Sequence, residues 1–265
     1  MRALPDRLLV VTDRHQARRP LEEVVAAALE GGARWVWLRD RDLEAGERRE
    51  LAQRLLRLTE AAGAVLTIGG DAGLAAEVGA SGVHLSSAML ETGKIASPVM
   101  VGLVPTIHAF ARDGLGVSLI ESPRPPPALQ DVDARHKAEH DGEGVRALLG
   151  MSAHGEADIR AAIAAGADYV TLSPVFETAS KPGYGPALGL AAIERAAKLG
   201  VPIIALGGVT PERAAQCLEA GAAGIAVMGE VMRADDPAAV VRRYMEALRS
   251  SSSRGEPSPG WERAG

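Results

Sequence analysis

The chain has 265 residues, 47% of them hydrophobic and 24% charged, with a formal net charge of −5 and one cysteine, Cys217. No long basic run offers a platform for nucleic acid or an anionic membrane, and no apolar stretch reaches the roughly 20 residues of a membrane span. A lone cysteine excludes an intramolecular disulfide and the amino terminus has no signal-like pattern, so one soluble domain in the cytoplasm is expected.

In chain order the first apolar run is Leu8-Leu9-Val10-Val11, followed by an alanine-rich helical stretch from Leu21 to Glu30. A glycine-alanine corner, Gly32-Ala33, then opens the run Trp35-Val36-Trp37-Leu38. Next come Val65-Leu66-Thr67-Ile68, a helical stretch from Leu74 to Val78, the corner Gly79-Ala80 and Val83-His84-Leu85. The third cycle is Ala147-Leu148-Leu149, a helix from Ala157 to Ala165, Gly166-Ala167 and Tyr169-Val170-Thr171-Leu172. The fourth is Ile203-Ile204-Ala205-Leu206, a helix from Pro211 to Ala220, Gly221-Ala222 and Ile225-Ala226-Val227. Each corner glycine suits a left-handed helix C-cap, and four copies of one phrase mark a repeated supersecondary unit. The runs are continuous rather than alternating, as in parallel strands buried on both faces. Eight strands with helices between them predict an α/β fold, a (β/α)8 TIM barrel, over residues 1–249.

Two stretches break the repeat. The interval from Gly79 to Gly166 is far longer than the others, and its surplus carries Ser122-Pro123-Arg124-Pro125-Pro126-Pro127 and a polar run from Asp131 to Glu143. A flexible insert is expected at about 91–145, with a lid over the strand ends as the alternative. Residues 250–265, rich in Ser, Gly, Pro and charge, read as a disordered tail.

Active sites of such barrels lie at the C-terminal ends of the strands. Gly207-Gly208 after strand seven and Met228-Gly229 after strand eight leave backbone N–H groups open to close approach. Thr210-Pro211 starts the next helix with proline at its first position. Loops at these places form the recurrent phosphate site of the architecture; tight packing without a ligand is the alternative. After strand six, Thr178, Ser180 and Lys181 set two hydroxyls and an ammonium within four residues, suited to closing over an anion or to a solvated loop. Arg39 and Arg41, two apart after strand two, suit a second anionic group, or salt bridges to Asp40, Asp42 or a neighbouring strand. Ser152 and His154 follow strand five, and His154 suits proton transfer near neutrality or the capping of a helix. His84, within a strand, reads as a packed core residue. No spacing suggests a zinc site or a nucleophile triad.

Over the barrel, apart from the insert and tail, the chain resembles the thiamine phosphate synthase/TenI superfamily. The matching segments are Trp37 to Arg41, Gly82 to Leu85, Met151 to His154, Ser173 to Gly183 and Ala205 to Val209. The resemblance implies a thiazole phosphate ligand in thiamin biosynthesis. Its synthase branch joins a pyrimidine pyrophosphate to thiazole phosphate, with an Asn-Asp pair after strand three and a Glu-Asp pair after strand four serving pyrophosphate and Mg²⁺. This chain has Gly69-Gly70 and Ala88-Met89 there, and Asp71 one residue off as partial compensation. Hard cations need such oxygen ligands.

The TenI branch needs no metal, and the resemblance implies aromatisation of carboxythiazole phosphate by moving a proton. The expectation is therefore an isomerase, a thiazole tautomerase without cofactor. His154 matches the family's histidine and shuttles the proton, Arg39 holds the substrate carboxylate, and Gly208 and Gly229, closed over by Ser180 and Lys181, hold phosphate. The alternatives are the Mg²⁺-dependent synthase and a non-catalytic thiazole-phosphate binder or partner of the synthase. Small-molecule thiazole phosphate is the expected partner, with nucleic acid and membrane excluded and homo-oligomerisation open.

Overall fold

The computed structural model describes residues 3–87, 89, 147–178 and 186–252. Eight parallel strands close into a barrel in sequence order: β1 (Leu8–Val11), β2 (Trp35–Leu38), β3 (Val65–Gly69), β4 (Gly82–Leu85), β5 (Leu148–Ala153), β6 (Tyr169–Leu172), β7 (Ile203–Leu206) and β8 (Gly224–Val227). Closure is made by β1 against β8, with Leu8 opposite Ile225 and Val10 opposite Val227. All four residues of β1, β2, β4, β6 and β8 are buried, since one face meets the interior and the other the surrounding helices. This is the (β/α)8 barrel that the repeat predicts.

The described helices are α1 (Leu21–Glu30), α2 (Ala45–Ala61), α3 (Ala72–Val78), α4 (Glu156–Ala164), α5 (Leu190–Ala197), α6 (Pro211–Glu219), α7 (Gly229–Met232) and α8 (Pro237–Ser252). In α1 the buried positions Leu21, Val24, Val25, Ala28 and Leu29 form one stripe at helical spacing. The corner glycines Gly32, Gly79, Gly166 and Gly221 all have positive φ, the backbone region that only glycine enters cheaply. The last helix reaches Ser252, so residues 250–252 are helical and not part of a disordered tail. The rest of that tail and the insert expected at about 91–145 lie outside the described residues.

The barrel interior holds large groups from the even strands. Trp35 meets Tyr169 edge-on at 4.7 Å between ring centroids, and Trp37 stacks on His84 at 3.8 Å. Between the strands that carry His84 and Tyr169 stands Gly150 of β5. A Cβ there would run into the Tyr169 phenol and lie 2.5 Å from His84 Nδ1. The missing side chain is what lets the two groups meet, 3.0 Å from Tyr169 Oη to His84 Nδ1.

Candidate active site

The C-terminal strand ends surround a cavity of about 840 Å³, within the usual size of small-molecule sites. Of the residues singled out in the sequence, Arg39, Arg41, Ser152, His154, Thr178, Gly207, Gly208, Met228 and Gly229 all line it. Ser180 and Lys181 lie outside the described residues.

Two loops are fixed to one another beneath its rim. The buried Asp40 carboxylate accepts from the Thr12 hydroxyl at 2.6 Å and from the Arg14 N–H at 2.7 Å, which joins the loops after β1 and β2. Arg39 donates to the Asp13 carboxylate at 2.8 Å, so the salt-bridge alternative holds for this arginine. Asp42 accepts from Arg14 at 2.8 Å and meets His15 Nε2 at 2.7 Å, contacts that hold its carboxyl well below the usual range.

Arg41 stands apart. Strand β2 ends at Leu38, so Arg39 and Arg41 do not share a strand face, and their guanidiniums diverge. Arg41 lies against Gly70, where a Cβ would be 2.7 Å from its Cζ. Desolvation, then the like charges of Arg48 and Arg39, pulls its pKa below the ordinary arginine value. Among the described residues no carboxylate or carbonyl pairs with it.

The neighbouring Arg48 of α2 is buried and fully engaged. It donates to the carbonyls of Asp40 and Gly69 and, at 3.2 Å, to Asp71. Asp71 in turn accepts from the Leu74 N–H at 2.9 Å as the N-cap of α3. Its carboxylate is thus used in structure, which removes the compensation the sequence suggested for it. These residues do not suit a divalent cation. Two guanidiniums occupy the corner, the Gly69 carbonyl is taken, and Met89 brings no oxygen side chain.

Topology sets the other anion-binding edge opposite. Strands β3 and β7 are four apart in a ring of eight, so Gly70 and Gly207-Gly208 face each other across the mouth. Gly207 and Gly208 have φ of 95° and 64°, and added Cβ atoms would run into Pro174, Phe176 and the Glu177 carbonyl. Tight packing therefore requires both glycines. Their loop still directs the Gly208 N–H, like that of Gly229, to no acceptor among the described residues. Arg213 donates to the Gly208 carbonyl at 2.9 Å and lies over the Phe176 ring at 4.6 Å, bracing the loop. Thr210 occupies the N-cap of α6 but makes no side-chain capping bond.

His154 is exposed in the mouth. Its N–H donates to Asp158 at 2.7 Å, and its Nδ1 lies 2.7 Å from the Ser173 carbonyl. A carbonyl only accepts, so Nδ1 carries the hydrogen and the neutral ring keeps its basic lone pair on Nε2. His84 sits below, fully buried, its pKa pushed down to about 3 by desolvation and then by Arg41. It is the packed core histidine the sequence predicts. Its Nε2 is 3.0 Å from the Ser152 hydroxyl, which makes it a support for a cavity residue.

A sequence profile of the TMP-TENI family, thiamine monophosphate synthase, matches residues 8–103 and 131–231. The chain belongs to the thiamine monophosphate synthase family. A Geobacter sulfurreducens protein, provisionally named a thiamine-phosphate synthase, is 34% identical over 91% of this chain and 93% of its own. The thiamine-phosphate synthase of Nitrosococcus oceani is 33% identical over 92% of this chain and 93% of its own. Among solved structures, thiamine phosphate pyrophosphorylase from Pyrococcus furiosus superposes with a TM-score of 0.68 at 23% identity, covering 92% of this chain and 96% of that one, a likeness of fold. The thiamine monophosphate synthase family thus fixes the setting in thiamin biosynthesis. These names give the transferase activity and none gives tautomerisation, so they back the reading that stood second in the sequence. No described helix is long and apolar enough to cross a membrane.

Proposed function

We propose that this chain joins a pyrimidine pyrophosphate to thiazole phosphate, and that arginine takes the part of the metal at the pyrophosphate. The carrying observation is the Arg41 guanidinium beside Gly70, without a partner among the described residues and across the mouth from the Gly207-Gly208 loop. One cavity therefore has two anion-binding edges, one for each phosphorylated substrate. The thiazole phosphate sits on the backbone N–H groups after β7 and β8, which charge-assisted hydrogen bonds suit well. Arg41 receives the pyrophosphate, with the fields of Arg39 and Arg48 behind it. The thiazole nitrogen attacks the methylene carbon of the pyrimidine, forming a C–N bond as the C–O bond breaks. The electron pair leaves with the pyrophosphate, where positive groups fixed in advance stabilise the growing charge. The names of the relatives support this reading.

Tautomerisation is the second reading, favoured by His154. It lines the cavity mouth with its ring oriented by the Nδ1–H bond to Ser173, and this reaction asks for no metal ligands. One experiment separates the two. The purified full-length protein is given thiazole phosphate with hydroxymethylpyrimidine pyrophosphate, with and without Mg²⁺, and separately the ylidene form of carboxythiazole phosphate. Thiamine phosphate formed without Mg²⁺ is the expected product. Aromatisation alone would replace the transferase reading with the tautomerase; transfer only with Mg²⁺ would overturn the arginine's part.

A further inference from the structure

Tyr244 lies in α8, away from the strand ends in sequence, and is completely buried against the cavity wall. Its hydroxyl is 2.9 Å from the Val209 carbonyl and in short contact with a Glu230 carboxylate oxygen. Val209 immediately follows Gly208, and Glu230 immediately follows Gly229. One phenol thus reaches the residue next to each of two cavity-lining glycines whose N–H groups have no acceptor among the described residues. The two loops come from different strands, β7 and β8. Among the described residues no other side chain hydrogen-bonds to both.

We infer that Tyr244 is a positioning residue that sets the separation and aim of the Gly208 and Gly229 N–H groups for a phosphate. The inference rests on the proposed phosphate edge after β7 and β8. A phenol has one hydrogen, so the hydroxyl is shared between two acceptors, and both loops are held against a single buried oxygen. Burial, then the Glu230 contact, raises the Tyr244 pKa and keeps the proton on the phenol. Arg243 completes the arrangement, 3.8 Å from Glu230 and 3.2 Å from Glu212. It offsets the Glu230 charge that would otherwise face an incoming anion. Donors held in place before the ligand arrives bind it with less ordering cost.

The test measures binding of inorganic phosphate to full-length Arg41→Gln protein, in which the opposite anion corner is weakened, with and without Tyr244→Phe. The second change should raise the phosphate Kd about tenfold, the size expected for a misaligned hydrogen-bonded anion. In the wild-type background Tyr244→Phe should raise KM for thiazole phosphate by a similar factor, with kcat at saturation and KM for the pyrimidine pyrophosphate within twofold. General loosening of the barrel would move all three. Glu230→Gln and Glu230→Ala both remove the charge but only the first keeps an acceptor for the phenol, so Glu230→Ala should bind phosphate several-fold more weakly than Glu230→Gln, and equal affinities overturn the hold of the phenol on this loop. Equal phosphate affinity with and without the phenol hydroxyl overturns the role of Tyr244. Absence of phosphate binding in the Arg41→Gln parent overturns the phosphate edge itself, and this inference with it.

Discussion

Replacing Arg41 and Arg39 separately by glutamine should produce opposite patterns. Arg41 has no partner among the described residues, so its loss strands no carboxylate and relieves repulsion from Arg48 and Arg39. Its folding stability should stay within about 0.5 kcal/mol of the parent, as for surface changes that break no feature. Its affinity for the pyrophosphate substrate should suffer, because a hydrogen bond to a charged group is worth about 1.5–3 kcal/mol, or roughly 10- to 150-fold in KM. Arg39 is bonded to Asp13, whose side chain is only 10% exposed. Asp13 keeps the His15 N–H at 3.1 Å and Gln16 at 2.7 Å, so the loss should cost about 1–3 kcal/mol rather than more. For a chain of this size that lowers Tm by about 2–10 °C. Thermal melts followed by circular dichroism, paired with steady-state kinetics, read both quantities. An Arg41→Gln protein with an unchanged KM, or one that melts as early as Arg39→Gln, would refute the reasoning.

Other outcomes follow from the same geometry. His84 is neutral in the fold down to about pH 3, whereas in the unfolded chain it protonates near pH 6.5. Below pH 6.5 the unfolded state therefore binds the extra proton. His84 should make stability fall by about 1.4 kcal/mol per pH unit towards pH 3, and urea melts of His84→Asn should show a shallower slope than wild type. His154→Gln should reduce transfer only modestly while cutting any tautomerisation by about 10²–10⁴-fold; comparable loss in both assays would contradict the assignment of the transfer step. Gly150→Ala should cost at least about 1–3 kcal/mol by driving a methyl into Tyr169 and His84, and a melt unchanged from wild type would show that β5 has room to move.

The strands were legible because burial on both faces writes them as unbroken apolar runs. Strand β5 is the instructive exception. Its apolar run stops at Leu149, yet the strand continues to Ala153, because Gly150 answers a demand from Tyr169 and His84 that no local pattern records. The site was legible as a set of strand ends, which the architecture brings together whatever their chemistry. What each arginine does was not. Arg39 and Arg41 read as a pair because residues two apart on extended chain point the same way, but their separation depends on Asp13 in another loop. Asp71 read as a spare acid until the start of α3 and Arg48 claimed it. Tyr244 gave no signal at all, since one aromatic in an amphipathic helix looks like ordinary core.

Trp37 forms part of the cavity lining and stacks on His84. Of the chain's three tryptophans, it and Trp35 stand in adjacent interior layers, so the protein carries an intrinsic fluorophore at the floor of its own site. Ligands entering the mouth can be followed by emission from the unmodified chain, with Trp37→Phe showing what the other two tryptophans contribute.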